Sequence, residues 1–198
     1  MRQDLTEVYL LLDMTGSMQP IQGETVVSVN NYIDDQKKEP NDMNFTLAVF
    51  NSEIGTSEIR KGEIKSVLGV GDEYKPNGMT PLYDAIGNSI VSLGEKLKNN
   101  PENERPGKVL FIIMTDGEEN YSKHYNRKQI FDIITLQKDT YKWDFLFMGA
   151  NQDSYQEAAK LNVASAKNFQ ATAMGVRSAY TDVSNITSSY RNTGNVNV

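Results

Sequence analysis

The sequence predicts an α/β fold: a single doubly wound, mostly parallel sheet with helices on both faces and one antiparallel edge strand. Three apolar runs point to the sheet: Val8-Tyr9-Leu10-Leu11-Leu12, Val109-Leu110-Phe111-Ile112-Ile113-Met114 and Phe145-Leu146-Phe147-Met148. Strands covered on both faces carry such unbroken runs, whereas half-exposed strands alternate apolar and polar residues. Between the runs lie amphipathic segments, the clearest with Leu82, Ile86, Ile90, Leu93 and Leu97 on one helical stripe. Strand and helix patterns that alternate with short connections make βαβ units, and hence parallel strands.

In chain order, the first strand runs from Glu7 to Leu12. A helix from about Pro20 to Lys38 follows, on the spacing of Val26, Val29 and Ile33. Asn44 to Asn51 is the second strand, and Glu53 to Arg60 its antiparallel hairpin arm. Gly69 to Gly78 is a polar connection that delivers a helix over Pro81 to Lys98, with Thr80 at the N-cap and Pro81 at the first helical position. A charged loop, Asn99 to Gly107, precedes the strand that ends in Thr115-Asp116-Gly117. A helix from Arg127 to Asp139, a strand from Lys142 to Gly149, a short helix from Gln152 to Leu161 and an edge strand from Lys167 to Gln170 come next. The last helix, about 172–191, rests on Val176, Ala179, Val183, Ile186 and Tyr190, since its Ser, Thr and Asn are weak helix formers. Asn192 to Val198 reads as a frayed end. There is no internal repeat and no linker, so residues 1–198 read as one domain.

Composition narrows the function. The 198 residues include no cysteine and carry a net charge of −6. Disulfides and thiolate metal sites are thereby excluded, and an acidic surface disfavours nucleic acid or an anionic membrane as main partner. The opening Met-Arg-Gln-Asp-Leu-Thr-Glu has acids where a signal peptide needs none, and no segment approaches the ~18 apolar residues of a membrane helix. A soluble, cytoplasmic protein is the expectation.

The chemistry concentrates at strand ends. Asp13-Met14-Thr15-Gly16-Ser17 follows the first apolar run directly, and Asp116 follows another. Ligands of open α/β sheets bind at the carboxyl ends of strands. One carboxylate and two hydroxyls in such a loop are hard oxygen donors of the kind magnesium or calcium prefers. With Gly78-Met79-Thr80-Pro81-Leu82 as a third segment, the chain resembles the von Willebrand factor A domain and its metal-ion-dependent adhesion site. That site joins an Asp-x-Ser-x-Ser loop to a distant Thr and a distant Asp. Here the matching positions are Asp13, Thr15, Ser17, Thr80 and Asp116, with Thr15 in place of the usual serine. The segments Thr80 to Ile86 and Thr115 to Asn120 also look like family segments, and the likeness extends roughly from Glu7 to Asn151.

The resemblance implies a small stand-alone intracellular protein of bacterial or phage type, with Mg2+ (or Mn2+ or Ca2+) as cofactor. Thr15, Ser17 and Thr80 would be direct or near-direct ligands, while Asp13 and Asp116 act largely through water. It implies a protein partner that completes the site with an Asp or Glu carboxylate, in assembly or regulation, and no enzymatic activity. An alternative is a structural subunit of a phage or secretion assembly that needs no metal. A magnesium-dependent phosphohydrolase of the haloacid-dehalogenase kind fits less well. It requires a second aspartate two residues after the first, where Thr15 stands, and losing that acid costs about 10²–10⁴ in rate. No G-x-S-x-G or phosphate-loop motif occurs, and Gly69-Val70-Gly71 is no dinucleotide fingerprint. His124, the only histidine, reads as solvated. Met14 and Met18 read as core, and Glu118, Glu119, Tyr121, Asn151 and Asp153 as turn or cap residues near the rim.

Overall fold

The computed structural model describes residues 1–150 and 153–198. Along the chain come β1 (Arg2–Asp13), α1 (Gln22–Lys38), β2 (Asp42–Asn51), β3 (Gly55–Glu63), α2 (Leu82–Asn99), β4 (Pro106–Thr115), α3 (Arg127–Tyr141), β5 (Asp144–Ala150), α4 (Ser154–Lys160), β6 (Ser165–Phe169) and α5 (Ala173–Thr193). The strands form one sheet in the order β3-β2-β1-β4-β5-β6. Only the β2–β3 pair is antiparallel, so the doubly wound arrangement with an antiparallel edge is what the chain adopts.

Strand alternation sorts the core into two layers. Val8, Leu10 and Leu12 pack with Val29, Ile33, Val183 and Tyr190 of α1 and α5. Tyr9 and Leu11 pack on the other side, with the Leu82-Ile86-Ile90-Leu93-Leu97 stripe of α2 and with Ile130 and Ile134 of α3. The apolar runs are therefore covered on both faces, which is why they carry no alternating polar residues.

Several boundaries differ from expectation, each for a local reason. β1 starts at Arg2 rather than Glu7, because Arg2 pairs beside Pro106 and its guanidinium reaches Asp42 at 2.6 Å and Asp4 at 2.7 Å. β3 is shifted to Gly55–Glu63: the Asn51 side chain accepts the N–H groups of Glu53 and Ile54, each at 2.9 Å, and so makes the turn from those residues. The connection after β3 is less polar in its packing than in its sequence, for Val67, Val70 and Tyr74 are all buried. β6 begins at Ser165 rather than Lys167. Asn192 and Thr193 are helical, not frayed, because α5 closes on Gly194 at φ 73°, whose N–H donates to the Tyr190 carbonyl at 2.8 Å.

α5 is also pinned by a buried cation. Arg191 has no exposed surface, and its guanidinium donates to the Gln36 carbonyl (2.7 Å), to Gln36 Oε1 (3.0 Å) and to the Asn41 carbonyl. Among the described residues no carboxylate pairs with it. No helix among those residues is long and apolar enough to cross a membrane.

Candidate metal centre

β1 hands on to β2 on one side and lies beside β4 on the other, so the chain reverses direction of progress between β1 and β4. The crevice at the carboxyl ends of such a strand pair is where open α/β sheets bind ligands. Asp13 ends β1 and Thr115 ends β4. Odd-numbered residues of both strands face the α2 layer, which brings these two side chains together.

Asp13 is completely buried, and each of its carboxylate oxygens accepts a hydrogen bond. The Thr115 hydroxyl donates to its Oδ2 at 2.6 Å, and the Thr15 N–H donates to its Oδ1 at 2.8 Å. The Tyr74 hydroxyl donates to its backbone carbonyl at 2.7 Å. Thr15 Oγ1 lies 3.1 Å from Ser17 Oγ, and the Ser17 hydroxyl donates to Asp116 Oδ1 at 2.6 Å. Asp13, Thr15, Ser17 and Asp116 thus share one small space. Thr80 borders it as well: a methyl added at Gly117 would stand 3.3 Å from Thr80 Oγ1 and 3.6 Å from Ser17 Oγ. The loop is tied to Gly78, whose carbonyl accepts the Gly16 N–H at 3.0 Å. Gly78 has φ 71°, and a Cβ there would meet Ser52 Oγ at 2.7 Å, so the position demands glycine.

Thr80 does not cap its helix, contrary to the expectation from sequence. α2 starts at Leu82, Pro81 occupies the cap position, and no side chain of that residue bonds the first turn. The N–H groups are taken from across the molecule instead. Glu119 Oε2 accepts Tyr83 N–H at 2.8 Å and Ser122 Oγ accepts Asp84 N–H at 3.0 Å. Asn120 grips Thr80 at two points: its Oδ1 accepts the Thr80 N–H at 2.9 Å, and its own N–H donates to the Thr80 carbonyl at 3.1 Å. Among the described residues the Thr80 hydroxyl makes no hydrogen bond, although the residue is only 3% exposed.

Thr115, Asn120 and Tyr74 are the residues that the sequence did not single out. For Thr115 a signal existed, since strand parity aligns it with Asp13; for Asn120 and Tyr74 the partners lie too far along the chain. Asn120→Ala is expected to cost about 1–3 kcal/mol, because it orphans the buried Thr80 N–H. Asn120→Asp keeps the acceptor and should recover most of that, as urea unfolding of both variants will show.

Two of the residues expected near the rim, Glu119 and Asp153, are caps. Glu119 closes α2, and the Asp153 side chain accepts Gln156 N–H at 3.1 Å at the start of α4. Asn151 lies outside the described residues. Glu118 and His124 are exposed, and the Lys123 ammonium stands 4.5 Å over the Tyr121 ring. Met14 and Met18 are core.

Electrostatics leave this space short of positive charge. Burial pushes the Asp13 carboxyl up to about 6, against the hydrogen bonds from Thr115 and Thr15, and the Asp116 charge pushes the same way. Burial raises Asp116 too, opposed by the Ser17 hydroxyl. Among the described residues neither acid has a lysine, arginine or histidine partner. No group of three or more His, Cys, Asp or Glu side chains converges among those residues, so the donors are two carboxylates and three hydroxyls. That set fits a hard cation such as Mg2+, Mn2+ or Ca2+, and it lacks the nitrogen or sulfur ligands typical of zinc.

No protein-family model matches this chain, and no curated protein matches it. Solved structures do. Proximal thread matrix protein 1 from the mussel byssus aligns over 93% of this chain and 46% of its own, with TM-score 0.59 and 13% identity. The pilus adhesin SpaC from Lactobacillus rhamnosus GG aligns over 91% of this chain and 29% of its own, at TM-score 0.64 and 14% identity. Manganese-loaded TRAP protein from Plasmodium vivax aligns over 89% and 72%, at TM-score 0.54 and 17% identity. The chain spans less than half the length of the first two. At such identities the likeness is one of fold, and in fold this chain is similar to all three.

Proposed function

We propose that this protein is a divalent-cation-dependent protein-recognition module of the von Willebrand factor A type. Thr15, Ser17 and Thr80 hold the ion, Asp13 and Asp116 supply negative charge and orient its waters, and the partner contributes an Asp or Glu carboxylate. A dication bound mainly by neutral hydroxyls stays electrophilic, and this is what draws a carboxylate to it. The observation that carries the proposal is the Thr80 hydroxyl, relieved of capping, without a hydrogen bond among the described residues, and lying with Ser17 Oγ around Gly117. The fold neighbours lend support, one being named as an adhesin and another as manganese-loaded. The proposal assigns the centre no reaction.

Thr80 provides the test. Because the helix is capped from Glu119 and Ser122, changes at Thr80 leave α2 closed and report on the ion alone. Titration calorimetry with Mn2+ is expected to show near wild-type affinity for Thr80→Ser, which keeps the hydroxyl. Thr80→Asn, with a longer amide, should bind at least about tenfold more weakly, since a misplaced donor is poorly tolerated by ions that want near-octahedral geometry. Equal affinity in Thr80→Asn and wild type would remove Thr80 from the site. Partners captured from the native host with and without a chelator separate this proposal from a structural subunit, whose contacts would survive chelation.

A further inference from the structure

At the opposite, amino end of the strands, a groove is lined by the C-terminal halves of α2 and α3. α2 is closely packed at Gly87, where a Cβ would lie 2.7 Å from the ring of Tyr125, in the segment just before α3. Seven residues on, and on a similar face of α2, a Cβ at Gly94 would meet nothing within 4 Å. Glycine inside a helix costs about as much as any residue except proline, and packing explains that cost at Gly87 but not at Gly94. What Gly94 borders is this groove, of about 370 Å³. Buried Ile90, Leu97, Val109 and Trp143 line it, and Leu136 and Tyr141, 52% and 60% exposed, stand at its edge.

The charges on the groove are not balanced. Lys98 and Arg105 face a single acid, Glu95, in a chain whose net charge is −6. The Arg105 guanidinium donates to the carbonyls of Asn100 (2.9 Å) and Lys98 (2.8 Å), and among the described residues neither cation is paired with a carboxylate. At about 30 Å³ per non-hydrogen atom, near water's share of its liquid, the groove holds about a dozen such atoms. That is at the small end of ligand pockets.

We propose that this groove binds a small amphipathic monocarboxylate, a chain or ring of roughly ten carbons whose carboxylate meets Lys98 and Arg105 while its apolar body lies against Trp143. The proposal is independent of the metal centre.

Trp143 is the only tryptophan and therefore the reporter. Decanoate, titrated below its micelle-forming concentration, is expected to change Trp143 fluorescence saturably. Decanol should bind about fivefold more weakly, the scale of one partly exposed ion pair, and Lys98→Glu should weaken decanoate by at least that factor. Gly94→Leu puts a side chain into the groove from a position where a Cβ meets nothing within 4 Å and removes a helix-interior glycine, so it should abolish the response while melting no lower than wild type. A linear, unsaturable signal, or an unchanged response in Gly94→Leu, overturns the site. Equal affinity for decanol and decanoate overturns the anionic class of ligand.

Discussion

Asp13→Asn is expected to abolish the stabilisation of this protein by Mg2+ while making the metal-free form more heat-resistant at pH 8. The asparagine keeps the contacts: its Oδ1 still accepts the Thr15 N–H, and its amide donates to Thr115 Oγ1, whose proton turns to the Gly117 carbonyl 3.0 Å away. What disappears is a buried charge. The Asp13 carboxyl is raised to about 6 in the native state, above the ~3.8 of an unfolded chain, so the native protein binds that proton more tightly. The sign follows from this difference. Metal-free wild type is favoured below pH 4, loses stability as pH rises from about 4 to 6, and levels off above. The loss attributable to Asp13 is on the order of 3 kcal/mol, or about 6–12 °C in Tm for a chain of this size. Asp116 is raised in the same direction, so the variant keeps a slope of the same sign. Melting curves of chelated wild type and Asp13→Asn from pH 4 to 8 measure the difference. Adding Mg2+ at 100 times its Kd should then stabilise wild type by about 2.7 kcal/mol and leave the variant unmoved. Equal stabilisation of both would take Asp13 out of the centre.

The largest loss of fold stability is expected at Arg191. Its guanidinium satisfies two backbone carbonyls and the Gln36 amide oxygen where the last turns of α1 and α5 meet. Arg191→Ala strips those acceptors of their donor and leaves a cavity, for a cost of roughly 3–5 kcal/mol. Arg191→Lys restores the charge but not the fork that reaches several acceptors at once, so it should recover only part of the loss. Urea denaturation reads both. A loss below about 1 kcal/mol for alanine would mean that the carbonyls find other donors.

Sequence disclosed the parts of this molecule whose causes are local. β1, β4 and β5 announce themselves because two covered faces force unbroken apolar runs, and α2 does so through its five-residue stripe. Asp13 and Asp116 were legible for the same reason, since each directly follows such a run. Causes that act across the sheet stayed hidden. The start of β1 is polar, and it is a strand only because Pro106 and Asp42 lie beside it. Tyr74 sits in a stretch of polar neighbours, yet it is buried under α1 and α5 and supports the Asp13 carbonyl. The N-cap pattern at Thr80 and Pro81 misled because Glu119 and Ser122 supply the caps from another loop.

That borrowed cap has a consequence for the order in which the protein matures. Asn120 follows Thr80 by 40 positions. During synthesis at about 5–20 residues per second, the first turn of α2 therefore waits some 2–8 s for the groups that close it. Until then its leading N–H groups are open to water, and Thr80 has nothing to hold it. The Asp13–Thr15–Ser17 loop emerges long before, but it gains Thr80, Thr115 and Asp116 only when β4 and the segment behind it have been made. The arrangement of Asp13, Thr15, Ser17, Thr80 and Asp116 is consequently incomplete in every nascent chain shorter than about 120 residues, and any ion that needs all five must wait for it.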